Sequence, residues 1–160
     1  VRKYLLGFSV QFPNSLYPYA LMNVQESMEN NAVTFAARLG LAEGMAVQEI
    51  GWDDDCFTEL SEAIEDIIDA ELLDEDTDEI CDVVLLWWRE DDGDLVDALV
   101  DAVRPLSGSG RVWLLTPGAG KPGALEPGVI PESAQLAGMV QTKAERLGTW
   151  QGSCLVPRAK

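Results

Sequence analysis

A three-layer α/β domain on a mostly parallel sheet is the fold predicted by three observations. The run Val83-Val84-Leu85-Leu86-Trp87-Trp88 is apolar without alternation, the mark of a strand covered on both faces and so of a parallel sheet between helices. Two other stretches, Leu60, Ile64, Ile67, Ile68, Leu72 and then Leu95, Val96, Leu99, Val100, Val103, repeat at three and four residues, which is the period of a helix with one buried side. A further apolar strand, Arg111 to Thr116, follows the second helix, completing a βαβ unit from Asp82 to Thr116 that should cross over right-handedly. A chain of 160 residues is long enough for one such domain and short for two.

The elements follow in order. Residues 1–33 read as a loosely attached, poorly ordered extension, with Met22 or Met28 as alternative starts, and 34–160 as the domain. Arg2 and Lys3 before Tyr4 to Phe12 imitate a secretory signal, but Pro13 ends the run early and no small-residue cleavage box follows. Phe35 to Leu39 suits a short helix stopped by Gly40, and Met45 to Ile50 a strand ending at Gly51-Trp52. Asp53, Asp54 and Asp55 then sit where a helix start favours acids, and the helix runs from Cys56 to Leu72. Asp74 to Asp78 is a polar turn before the central strand. Asp94 opens the next helix, and Pro105 and Gly108 stop it. Beyond the third strand, Pro117 to Gly123 is a loop, Glu132 to Ala137 a short helix with Pro131 in its first turn, and Val140 to Leu147 with Gln151 to Val156 an antiparallel pair about Gly148.

Charge restricts function more than length does. The chain has 11 basic and 28 acidic residues, net −17, and between Glu49 and Asp101 there are 22 acids and one base, Arg89. Such a surface repels phosphate backbones, which excludes nucleic acid as the expected partner. A basic protein surface, a cation or simple solvation of a charged face fits instead. Crowded carboxylates should also hold protons more tightly folded than unfolded, so that at low ionic strength the domain is more stable near about pH 5 to 6 than near about pH 8.

Histidine is absent, which removes Ser-His-Asp and Cys-His mechanisms within one chain. Cys56, Cys81 and Cys154 are odd in number and widely spaced, unlike a disulfide framework or a zinc site. Asp74-x-Asp76-x-Asp78 opens like a calcium loop, but Glu79 and Leu85 stand where glycine and a bidentate glutamate belong. No metal and no cofactor is therefore assigned. No apolar run approaches the ~20 residues of a membrane helix, so no membrane partner is expected.

In open parallel sheets ligands bind outside the carboxyl ends of the strands, which here are Trp52 to Asp55, Arg89 to Asp94 and Thr116 to Lys121. The candidate ligand- or partner-binding residues are accordingly Trp52, Asp53, Asp54, Arg89, Asp91, Asp92, Thr116, Gly118, Gly120 and Lys121. Gly118-x-Gly120-x-x-Gly123 matches the dinucleotide fingerprint in letters only, because Pro122, Pro127 and Gly128 obstruct immediate helix entry. No catalytic residue is assigned.

The segments Gln48-Glu49-Ile50-Gly51-Trp52-Asp53, Glu71-Leu72-Leu73-Asp74-Glu75-Asp76, Asp82 to Arg89, Asp92-Gly93-Asp94-Leu95-Val96-Asp97, Trp113-Leu114-Leu115-Thr116-Pro117 and Gly120-Lys121-Pro122-Gly123 together resemble the bacterial domain of unknown function 3052 family, from about residue 34 onward. That resemblance implies a small cytoplasmic protein and carries over no catalytic residue. In element order the chain also resembles the second half of a methyltransferase-type Rossmann fold. It departs where Gly51 is followed by Trp52 and three aspartates, a place at which a cofactor-binding enzyme has several glycines. The function expected is a non-enzymatic binding or regulatory domain whose acidic flank docks a basic protein surface. The alternative is a divergent methyltransferase-like enzyme or small-ligand binder using the strand-end crevice.

Overall fold

The structure is a computed structural model, and it describes residues 31–158. Five strands form one sheet in the order β1-β2-β3-β5-β4: β1 Val47–Ile50, β2 Cys81–Trp87, β3 Leu106–Pro117, β4 Met139–Leu147 and β5 Trp150–Pro157. β1, β2 and β3 are parallel neighbours, and β5 enters antiparallel between β3 and β4. The helices are α1 over residues 31–37, α2 Thr58–Ile68, α3 Leu95–Val103 and α4 Val129–Leu136.

Alternation along β2 divides the interior in two. Val83, Leu85 and Trp87 face a core shared with α1 and α2, while Val84 and Leu86 face one shared with α3 and α4. That is the three-layer arrangement expected of a strand apolar on both faces. Successive right-handed crossovers stepping the same way along a sheet would leave α2 and α3 on one face, yet they lie on opposite faces. Leu73 accounts for this. It forms a parallel bridge with Gln48 on the outer edge of β1, held by Leu73 N to Val47 O at 2.8 Å and Glu49 N to Leu73 O at 2.9 Å. The chain therefore leaves β1, returns on its far side for a single residue, and then crosses to β2. The reversal makes the gap between the carboxyl ends of β1 and β2 the topological switch point, the usual place for a ligand in such sheets.

Several boundaries differ from the sequence reading, each for a local reason. α1 covers residues 31–37 of the described chain, earlier than the helix expected over Phe35 to Leu39, and buries Ala32 completely; residues 1–30 of the expected extension lie outside the described residues. α2 ends at Ile68, four residues early, because Asp69 turns left-handed with φ 58°, releasing Leu72 and Leu73 for the bridge. β3 starts at Leu106 and reaches Arg111 across an irregular stretch opposite β2, where Ser107 to Gly110 reads as a breaker. α4 takes in Pro131 at its third position, where an N–H would have no partner within the helix.

Candidate functional site

The strand ends at the switch point are joined by one side chain. Arg89 follows β2, and its side chain is only 13% exposed. Its Nε donates to Asp55 Oδ2 at 3.1 Å, its Nη2 to Asp55 Oδ1 at 2.5 Å, and its Nη1 to the carbonyl of Gly51 at 2.8 Å. Nη2 also reaches Cys56 Sγ at 3.1 Å, and the guanidinium carbon lies 5.5 Å from the Trp150 ring centroid. The guanidinium thus fastens the loop after β1 to the end of β2 and lies over an aromatic from β5. Asp92 completes the turn by accepting from Arg89 N at 2.9 Å.

This is what chemistry demands of the one base among 22 acids: a planar fork that is half-desolvated finds a bidentate carboxylate. Hydrogen bonding from Arg89 holds the Asp55 carboxyl below its usual range, partial burial working against it and the guanidinium charge with it. Burial alone would lower the Arg89 pKa, but the hydrogen bonds to Asp55 and the surrounding negative charge leave it raised. Burial also pushes the Cys56 thiol up to about 12, so at neutral pH it is a protonated packing group and no nucleophile.

Backbone closes the rest of the gap. Gly51 has φ +80°, and a β-carbon there would collide with the carbonyl oxygen of Trp87; the loop after β1 therefore lies directly on the end of β2. Below it, Glu49 is buried on β1 and accepts from Ser61 Oγ of α2 at 2.7 Å and from Trp87 Nε1 at 3.0 Å. Trp87 meets Trp150 edge-on at 4.8 Å between ring centroids, so a packed column runs from Glu49 through both indoles to Arg89.

The predicted site residues divide around this column. Arg89 and Asp92 are in it. Asp53, Asp54 and Asp91 are on the surface beside it, and Asp53 Oδ1 accepts from Asp54 N at 2.7 Å. Trp52 is half-buried against the α1 and α2 core with its Nε1 buried and unpartnered. Thr116 is the penultimate residue of β3 and is buried at 2% exposure. Gly118 binds the β4–β5 turn through Gly118 N to Thr149 O at 2.8 Å, and Gly120 and Lys121 form an exposed turn. The third glycine of the apparent fingerprint, Gly123, packs on the stem of Arg89 at a φ of +84°, where a β-carbon would come within 3.2 Å of Arg89 Cβ, and it accepts from Glu90 N at 2.9 Å. α4 starts only at Val129. The loop is a cover for Arg89 with no helix N-terminus behind it to cradle a phosphate.

Asp55, Cys56 and Glu49 are the partners sequence reasoning missed. The available signal was Arg89 itself, since a solitary base in an acidic segment must choose one carboxylate; which one depends on the β1–β2 juxtaposition.

Comparison with known proteins agrees with this geometry at the level of fold. The mitomycin 7-O-methyltransferase MmcR superposes with a TM-score of 0.57 at 15% identity, covering 83% of this chain and 54% of that one. CalO1, a methyltransferase in calicheamicin biosynthesis solved in its SAH-bound form, gives 0.58 at 14% over 89% of this chain and 56% of its own. The CcbJ methyltransferase from Streptomyces caelestis gives 0.55 at 11%, covering 82% and 90%. The chain spans about half the length of the first two. Uncharacterized proteins of Mycobacterium bovis and Mycobacterium tuberculosis are 48% identical over 127 residues, which is 79% of this chain and 80% of theirs. Residues 36–159 match the model of a family described as a protein of unknown function, DUF3052, and with that coverage the chain belongs to the DUF3052 family.

Proposed function

We propose that this protein is a non-enzymatic binding domain on a methyltransferase-like frame, whose acidic flank docks a basic surface of a protein partner. The observation that carries the reading is the fate of Arg89. The one base between Glu49 and Asp101 is turned inward onto Asp55 and Gly51, which leaves Asp53, Asp54, Asp66, Asp69 and the run Asp74 to Glu79 exposed with no base of their own segment beside them. Unneutralised charge of one sign steers and holds a partner of the other.

The fold by itself favours a different reading, a small-ligand binder or methyltransferase. The residues do not fit the adenosyl group of the SAH-bound neighbour. The switch-point gap is filled by Gly51 against Trp87 and by the Arg89 tie, and the loop after β1 offers Trp52 and three aspartates to a ligand that itself carries a carboxylate. Fold likeness alone is no evidence of activity.

The test is titration of a lysine-rich peptide into the full chain and into a variant carrying Asp53→Asn, Asp54→Asn, Asp76→Asn and Asp78→Asn. Binding at ~0.1 M salt, lost near ~1 M where the screening length falls to ~3 Å, and weakened at least tenfold in the variant, is expected. Binding of equal strength at both salts or in both proteins would overturn the reading.

A further inference from the structure

Away from the switch point, a surface groove lies at the opposite end of the sheet. It has a volume of about 440 Å³ and runs along the free side of β4 beside α4, lined by Pro131, Gln135, Val140, Thr142, Lys143 and Arg158 among others, with no acid in its lining. Val140 is 42% exposed there, and Leu136 of α4, which follows the lining residue Gln135 in sequence, is 69% exposed. Among the described residues β4 is the edge strand and pairs within the sheet with β5 alone. Among the described residues neither Lys143 nor Arg158 is in an ion pair with a carboxylate. In a chain of net charge −17, a groove of mixed polarity that carries Lys143 and Arg158 and no acid in its lining calls for an acidic occupant.

The same chain carries such an occupant at its other edge. Asp74-Glu75-Asp76-Thr77-Asp78-Glu79-Ile80 has five acids in seven residues, forms no helix or strand, and ends in Ile80, which is 72% exposed. The segment leaves the Leu73 bridge on the outer edge of β1, whereas the groove borders β4, four strands away. The two cannot meet within one molecule. They can meet between two.

We infer that the basic surface engaged by the acidic flank is, in the first instance, the β4–α4 groove of a second copy of this chain, with residues 74–80 of one molecule in the groove of the next. This rests on the proposed function above and names its partner. Acids of the segment meet Lys143 and Arg158, and Ile80 supplies an apolar anchor for the surface around Val140 and Leu136. The contact is heterologous, segment to groove, so it builds rings or short chains of molecules rather than a two-fold dimer. Its salt dependence has a distinctive form. At ~0.01 M salt the screening length is ~30 Å, and the net charges of two whole molecules repel across it; near ~0.1 M it is ~10 Å, which removes the distant repulsion and keeps the local pairs; near ~1 M the pairs are screened as well. Association is therefore strongest at the middle concentration.

Sedimentation velocity on the full chain reads this directly, together with a groove variant, K143E with R158E, and a segment variant, D76K with D78K and E79K. The wild type should associate near ~0.1 M salt and weaken at least tenfold at both ~0.01 M and ~1 M. Each variant alone should be monomeric with an unchanged melting curve, and a one-to-one mixture of the two should associate again, because each then supplies the charge the other has lost. Lys143 lies over the Trp113 ring at 5.7 Å, so R158E alone serves where the double variant melts early. A monomeric wild type at every salt, or a mixture that stays monomeric, overturns the inference. If the lysine-rich peptide still binds the flank in that case, the proposed function stands and only the identity of the partner falls; if the peptide fails too, both fall.

Discussion

Arg89 and Asp55 face each other as a two-point pair, Nε to Oδ2 at 3.1 Å and Nη2 to Oδ1 at 2.5 Å, across the gap where proteins of this fold hold their ligands. Removing the fork leaves the Gly51 carbonyl and Asp55 without their donor. Asp55 is 58% exposed, so water solvates its orphaned charge and the cost stays below the 3 to 5 kcal/mol of a fully buried pair. Arg89→Ala should cost about 2 to 3 kcal/mol, and Arg89→Lys, which keeps the charge and loses the fork, about 1 to 2 kcal/mol. Urea denaturation of both variants checks the order; a lysine variant as stable as wild type would mean that charge alone holds the tie.

Gly51→Ala tests the closure by backbone. Its β-carbon would press on the Trp87 carbonyl at a φ of +80°, and neither group can swing away. A loss of at least ~2 kcal/mol is expected, seen as a melting temperature lower by several degrees. An unchanged melting temperature would show that the loop stands off β2.

Ser61→Ala removes one donor from the buried Glu49 carboxylate, which holds it at 2.7 Å. A cost of ~1 to 3 kcal/mol follows from taking one hydrogen-bond donor away from a buried carboxyl oxygen. Trp87 Nε1 shares the same oxygen at 3.0 Å, so a shift in tryptophan emission should accompany it. Destabilisation without any emission change would place the loss in α2 packing alone.

The pH profile has two limbs with assignable owners. The Asp55 pKa is lowered from 3.8 by its hydrogen bonds with Arg89; a depressed carboxyl stabilises above its unfolded pKa, and that stability drains away as pH falls below 3.8 toward the folded value. The Cys56 pKa is raised from 9.0 to about 12 by burial; a raised pKa stabilises below the unfolded value, and the contribution is lost as pH climbs from 9.0 toward about 12. Denaturant midpoints in high salt, which suppresses the general repulsion of the acidic flank, should fall on both sides. Arg89→Ala should flatten the acid limb and Cys56→Ala the alkaline one, down to what Cys81, raised mainly by burial, leaves. An acid limb identical in Arg89→Ala would remove Asp55 from the account.

The layers of this fold were legible because they rest on local periodicity. Val83 to Trp88 reads as a two-sided strand and Leu60 to Ile68 as a one-sided helix wherever they sit. The antiparallel end was legible too, since Leu147 and Trp150 close a two-residue turn on Gly148. What lay outside the sequence depends on contacts between distant residues. One bridge at Leu73 moves the switch point to β1 and β2, and no local pattern marks it. The prolines of 118–127 show in the sequence that no helix opens directly behind these glycines, and α4 indeed begins at Val129, but the packing of Gly123 on Arg89 follows only once β2 and β3 are known to end side by side. Thr116 stands at the carboxyl end of β3 as its sequence position implies, one residue before Pro117, and it is buried there, which only the pairing of Pro117 with Trp150 reveals.

The proposed function combines a fold like that of methyltransferases, a strand-end gap tied by Arg89 and Gly51, and binding through the acidic flank. Thermal melting of the wild-type chain with S-adenosylmethionine, with S-adenosylhomocysteine and with the lysine-rich peptide tests that claim in one assay. A ligand present at a hundred times its dissociation constant adds ~2.7 kcal/mol to stability. The account predicts a saturable, salt-sensitive rise in melting temperature with the peptide and none with either adenosyl compound. A saturable rise with an adenosyl compound and none with the peptide would contradict it.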